Sequence, residues 1–249
     1  MDQTRDWNNW QNAPASLNDD KEIRTDFFTL GFQDMINREW GFTLEAPVWS
    51  RYYAGAGDDG GVATVNHEAL GDIRVMGMYA GLSADMSTGI QFGLKLPTGP
   101  FNQSVLDRDT QIGSGTTDWL LGAYQMGQEN GWGWYAQVLW QHAFGPRDGY
   151  RPGDSFDFSI GAHYDELLAK YRIIPMLQLI ASYRGTDSGV NADPQNTGYT
   201  RLYIAPTLQV SLSRQMNLYA DLRIPVATHV NGYQLIAPTL LSTTMSLNF

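Results

Sequence analysis

Thr200-Arg201-Leu202-Tyr203-Ile204-Ala205-Pro206-Thr207-Leu208-Gln209-Val210-Ser211-Leu212 is the stretch on which the reading of this chain turns. Side chains alternate sides along an extended backbone, so Leu202, Ile204, Pro206, Leu208, Val210 and Leu212 share one face. Arg201, Tyr203, Ala205, Thr207, Gln209 and Ser211 share the other. The pattern recurs upstream, where Phe156, Phe158, Ile160, Ala162 and Tyr164 oppose Asp157, Ser159, Gly161 and His163. Eleven such segments run over about 23–36, 39–53, 69–82, 85–97, 116–127, 132–144, 154–165, 169–184, 199–213, 215–226 and 233–249. Their polar faces hold Glu45, Asp72, Arg74, Lys95, Asp157, Arg184, Arg201, Asp221 and Arg223, while the apolar faces are nearly free of charge. An apolar outside and a charged inside describe strands of a barrel in lipid. The expected fold is all-β: a closed transmembrane antiparallel up-and-down β-barrel of about twelve strands. Asp34, on the apolar side of the first segment, departs from the pattern and is assigned to the periplasmic rim.

Composition agrees and narrows the function. The 249 residues suffice for one large all-β unit. A mean hydropathy of −0.32 resembles that of a soluble protein, but in a membrane barrel only alternate residues meet lipid. No apolar run reaches the length of a membrane helix, and the most apolar stretch, 173–183, is broken by Pro175 and Gln178. The absence of cysteine excludes disulfides and thiolate chemistry. A net charge of −10, with no basic stripe, argues against nucleic acid as a partner. Asp58, Asp59, Asp107, Asp109, Asp187 and Asp193 fall in connections and read as solvated loop residues, with cation-bridged contacts to lipopolysaccharide as the alternative.

Connections alternate in length. Short ones lie near Asn37-Arg38, Ser83-Ala84, Gln128–Gly131, Glu166–Leu168 and Arg214; long ones span 54–68, 98–115, 145–153, 185–198 and 227–232. Short periplasmic turns and long external loops are the outer-membrane arrangement. An even strand number and a last strand ending in the periplasm require one more strand before residue 23. The chain is therefore divided into a partial first strand and external loop over 1–22 and the barrel proper over 23–249. Met1-Asp2-Gln3-Thr4-Arg5-Asp6 has no signal-peptide character, so an exported protein of this kind is expected to be a processed form or a fragment. Aromatic residues gather near strand ends (Trp40, Tyr52, Trp132, Trp140, Tyr183 and Tyr199 among them), as interfacial girdles do. A final strand ending in Phe249 resembles the signal read by the outer-membrane assembly machinery. Pro47, Pro175, Pro206, Pro225 and Pro238 fall inside strands, where bulges or breaks are expected.

Three stretches resemble a known family: Gly71-Asp72-Ile73-Arg74-Val75, Gly93-Leu94-Lys95-Leu96-Pro97-Thr98-Gly99, and Gln111–Asp118 followed by Leu120-Leu121-Gly122-Ala123-Tyr124. They are similar to the transporter-like outer-membrane family named for the meta-pathway of phenol degradation. The resemblance implies an outer-membrane barrel that passes small, often aromatic or hydrophobic, molecules, and it carries no catalytic residues.

Catalytic constellations are lacking. His163 shares a face with Asp157 and Ser159, but neighbours on one face are about 6.8 Å apart, too far for a hydrogen-bonded relay. His67 and His229 fall in expected external loops and His142 at a strand's outer end. No metalloprotease, nucleophile-elbow or phosphate-loop motif occurs, and no cofactor or metal is expected. The expected function is passive passage of a small-molecule solute through a narrow lumen. Glu45, Asp72, Arg74, Lys95, Asp157, Arg184, Arg201, Tyr203, Asp221 and Arg223 are the candidate solute contacts, with interior ion pairs that brace the wall as the alternative role. The alternative function is a plugged structural or adhesive barrel whose loops bind partners. Partners follow from location: outer-membrane lipid, lipopolysaccharide and the assembly machinery.

Overall fold

Asn130 and Gly131 have φ angles of 52° and 79°, two consecutive left-handed residues between Glu129 and Trp132. That is the two-residue hairpin geometry that matches strand twist, and Asn-Gly is the pair that adopts it most readily. The computed structural model describes residues 22–56 (backbone alone at 56), 62–103 (backbone alone at 62 and 63), 106, 108–232, 234 and 239–248. It also describes the backbone of the short strands Asp2–Gln3, Asp6–Trp7 and Pro14–Ser16. Similar local devices close the other short turns. Asn37 Oδ1 accepts from the amides of Glu39 (2.9 Å) and Trp40 (2.8 Å), and Ser213 Oγ from those of Gln215 and Met216.

The strands are β1 (Glu22–Met35), β2 (Trp40–Ala56), β3 (Val62–Leu70), β4 (Ile73–Tyr79), β5 (Thr88–Leu96), β6 (Asp118–Glu129), β7 (Trp132–Ala143), β8 (Ser155–Tyr164), β9 (Ile173–Arg184), β10 (Tyr199–Ser211), β11 (Met216–Val230) and β12 (Leu240–Leu247). With Asp2–Gln3 paired to Arg24 and Ile23, they form one 13-stranded antiparallel sheet. Both β3 and β4 ladder onto β2, so they make one broken crossing and leave twelve. Between the registers Glu45↔Arg74 and Val48↔Leu70, β2 contributes two residues and its partner three. This bulge at Gly71–Ile73 frees Asp72 from the ladder and switches the inward face from odd residues in β3 to even ones in β4. Two expected connections are thereby corrected. Most of 54–68 is strand, and 227–230 extends β11, so His67 and His229 lie in strands rather than loops.

Every strand pairs with its chain neighbour, and the sheet is curled: Arg74 on β4 reaches Gln141 on β7 across its concave side. The convex side carries the apolar stripe, with Ile160 at 42% and Leu208 at 48% exposure. An exposed apolar stripe of this extent marks a surface that meets an apolar medium or partner. Among the described residues no pairing joins β12 to β1, and the described ladder runs from Asp2–Gln3 to β12 as one curled sheet. Both faces of β1 are exposed from Asp26 to Met35, as befits an edge strand. The prolines behave unevenly. A register shift faces Pro225, pairing lapses beside Pro206, and Pro175 sits in unbroken register opposite Leu208. Pro238 lies outside the described residues.

Candidate functional site

The 97–117 loop turns inward, and the reason is Asp72. Its Oδ2 accepts from Lys95 Nζ (3.0 Å), the Ser114 amide (3.0 Å) and Ser114 Oγ (2.9 Å), and its Oδ1 from the Gly99 amide (3.0 Å). Lys95 Nζ also lies 2.9 Å from Asp118 Oδ2 and donates to Ser114 Oγ. Asp118 is buried and takes further bonds from Thr116 Oγ1 (2.6 Å) and Gln141 Nε2. One ammonium thus serves two buried carboxylates, and the excess charge is offset by neutral donors from the loop. The network runs on through Gln141 to Arg74, whose guanidinium lies 3.9 Å from Glu45. Gly99 and Gly113 approach so closely that a Cβ on Gly113 would stand 2.3 Å from the Gly99 carbonyl oxygen; glycine is required there.

The same loop is tied sideways. Arg51 donates to the carbonyl oxygens of Thr110 and Gln111, and Gln103 bonds His67 at 3.0 Å. Arg108 donates to the carbonyls of Phe101 and Ser114 and stacks on the ring of Tyr150, 4.6 Å from its centroid. Tyr150 donates to Asp187 Oδ2 (2.7 Å), and Asp187 Oδ1 accepts from Arg184 (2.9 Å) and the Gly153 amide (2.8 Å). Burial pushes the Tyr150 hydroxyl well above the usual tyrosine range, so it stays protonated as the donor this cluster needs. Loops 97–117, 144–154 and 185–198 therefore interlock over one end of the curled sheet. Asp187, expected to be solvated, is fully buried because Arg184, Tyr150, Gly153 and Thr197 close on it. Sequence reasoning gave no role to Gln141, Ser114, Tyr150 or Arg108. Gln141 and Tyr150 meet partners tens of residues away, and of this network only Ser114 and Asp118 stood in a stretch with any signal, Gln111–Asp118.

The ten candidate residues all lie on the concave side, by ladder register or, for Asp72, by its bonds. The structure joins Glu45 with Arg74, and Asp72 with Lys95; Arg184 is held by Asp187 and Arg223 by Asp221 (3.0 Å). Asp157 accepts from Ser182 Oγ at 2.6 Å, and Tyr203 is buried. Arg201 stands apart from Asp221 and Arg223. It is opposite Thr228, whereas Asp221 is opposite Thr207, six residues or about 20 Å along β10.

No histidine is set up for nucleophilic catalysis. His163 pairs with Asp165 at 3.2 Å. His142 Nδ1 faces Asp154 (2.8 Å) while its Nε2 meets the Arg151 guanidinium (3.0 Å), which occupies the nitrogen a hydroxyl would need. Among the described residues no cluster of three metal-ligating side chains occurs.

No family model matches the chain, and no curated protein does. The fold is that of an outer membrane channel from Pseudomonas putida F1 known from its crystal structure. The two superimpose with a TM-score of 0.69 over 99% of this chain and 91% of that one, at 13% identity.

Proposed function

We propose that the protein is an outer-membrane channel for passive passage of small molecules, with a non-enzymatic role in the envelope of a Gram-negative bacterium. The observation that carries the reading is the sorting of the sheet's two sides, apolar and exposed outside, ionised and hydrogen-bonded inside. The fold shared with an outer membrane channel supports it. The resemblance of 71–75, 93–99 and 111–124 to the phenol-degradation family directs the choice of solute toward small aromatic or hydrophobic compounds. The ten concave-side residues are proposed as its wall. Lipid and lipopolysaccharide surround the barrel in this reading, and the assembly machinery reads its end at Phe249, which lies outside the described residues.

Planar-bilayer recording and liposome uptake test this together. Small, resolved conductance steps with uptake of a small aromatic solute are expected; neither conductance nor uptake would overturn the channel. One observation favours the second reading, a plugged barrel. The 97–117 loop is bonded into the concave face by Asp72, Lys95 and Arg51. In that case the wild type is silent, while a variant that frees the loop conducts.

A further inference from the structure

Each cation on the concave side of the strands is held by a carboxylate or by loop carbonyls, with one exception. Among the described residues, Arg74 has Glu45, Lys95 has Asp72 and Asp118, Arg184 has Asp187, and Arg223 has Asp221. Arg51 spends its guanidinium on loop carbonyls. Arg201 alone has no hydrogen-bond acceptor and no carboxylate. Its Nε is buried without a partner, and its one contact is the ring of Tyr199, 3.9 Å below the guanidinium carbon. A guanidinium keeps its charge, and half-burying one without an acceptor is costly unless something else supplies the acceptor.

The surroundings say what would fit. Tyr199 and Tyr203 flank Arg201 on its own strand, and across the ladder stand Ser182 and the buried Thr228. Ser182 is already committed to Asp157, which lies in the same row two strands away, about 10 Å. The ring of Tyr199 supports the guanidinium from one side, and a planar fork without an acceptor is the group that receives a planar carboxylate through two parallel bonds. Asp157 in the row disfavours a second negative charge on the ligand. The position lies just inside the loop cap, since Tyr199 pairs with Arg184, the residue that holds Asp187.

We propose that Arg201 is the recognition point for a small organic monocarboxylate, with the tyrosines receiving an apolar or aromatic body. The proposal names the solute class of the lumen described above and rests on that reading for its role in passage, although binding itself does not require passage.

The test is equilibrium binding by calorimetry in detergent micelles, with sodium benzoate as the probe and benzyl alcohol as its neutral counterpart. Benzoate is expected to bind at least tenfold more tightly than the alcohol. Arg201→Gln should remove that preference, and Arg201→Lys, which keeps the charge but not the fork, should retain part of it. Circular dichroism and heat-dependent gel migration establish that each variant is folded. Equal binding of acid and alcohol, or benzoate binding unchanged in Arg201→Gln, would overturn the site. Arg201-dependent binding in a protein that passes no current would leave this site standing and sink the channel instead.

Discussion

Lys95 shows how a single side chain can hold a loop against the inside of a curled sheet. Its ammonium is shared by Asp72 and Asp118, both nearly inaccessible to water. Lys95→Met keeps the volume and removes the charge, leaving two carboxylates buried together without a cation. Loss of one member of a buried ion network of this kind costs about 3–5 kcal/mol. The urea midpoint in micelles should fall accordingly, and conductance should rise as the 97–117 loop comes free; an unchanged midpoint would refute the role given to Lys95. A milder case is Asp85, in the short turn between β4 and β5. Hydrogen bonds from the hydroxyls of Ser83 and Ser87 and from the Ser87 amide lower its carboxyl from 3.8 to about 2. The folded value is depressed, so the turn's extra stability is complete above about pH 4 and is lost between there and pH 2. The Ser87 amide resonance should titrate with a midpoint near 2; a midpoint near 4 would show that the turn does not hold the carboxylate.

At the scale of the strand, the two sides of β10 give a direct contrast. Leu208 is on the convex side and Gln209 on the concave side. Placing arginine on a lipid-facing position near the midplane of a barrel costs about 2–4 kcal/mol. Leu208→Arg should therefore fold poorly into liposomes, whereas Gln209→Arg should fold and alter ion selectivity; similar behaviour of the pair would reverse the assignment of sides. The sides were legible in the sequence because β8 and β10 alternate without interruption. Two places defeated the same reading. Over Val62–Leu70 polar and apolar residues are mixed on both faces, and only pairing onto β2 makes that segment a strand. At Gly71–Ile73 and opposite Leu202–Tyr203 a bulge changes which parity points inward, and a two-residue rhythm carries no mark of an inserted residue. The site was legible only in part for a related reason. Arg74 and Lys95 are neighbours in the ladder and Asp72 stands in the bulge beside them, but the partners that decide their chemistry, such as Ser114 and Gln141, arrive from loops and from strands three places away.

At the scale of the whole molecule, two kinds of contact hold the chain together. Ladder pairs join strands that are next to one another in sequence, whereas the loop clamps join residues far apart, 67 positions from Arg74 to Gln141 and 39 from Arg108 to Arg147. Closing a longer loop of chain costs more entropy before any contact rewards it. Hairpins such as β6–β7, with its preformed Asn130-Gly131 turn, should therefore form early, and the cap of three loops should form last. Refolding into detergent should show strand circular dichroism rising in a first phase. Quenching of Trp119, which sits against Phe144 at the base of two clamped loops, should follow in a slower one. Single-phase behaviour common to both signals would count against this order. The delay has a meaning in time as well as in space: a newly assembled wall stays unguarded at its mouth until the cap sets, so the age of a molecule, and not only its sequence, would decide what reaches its concave side.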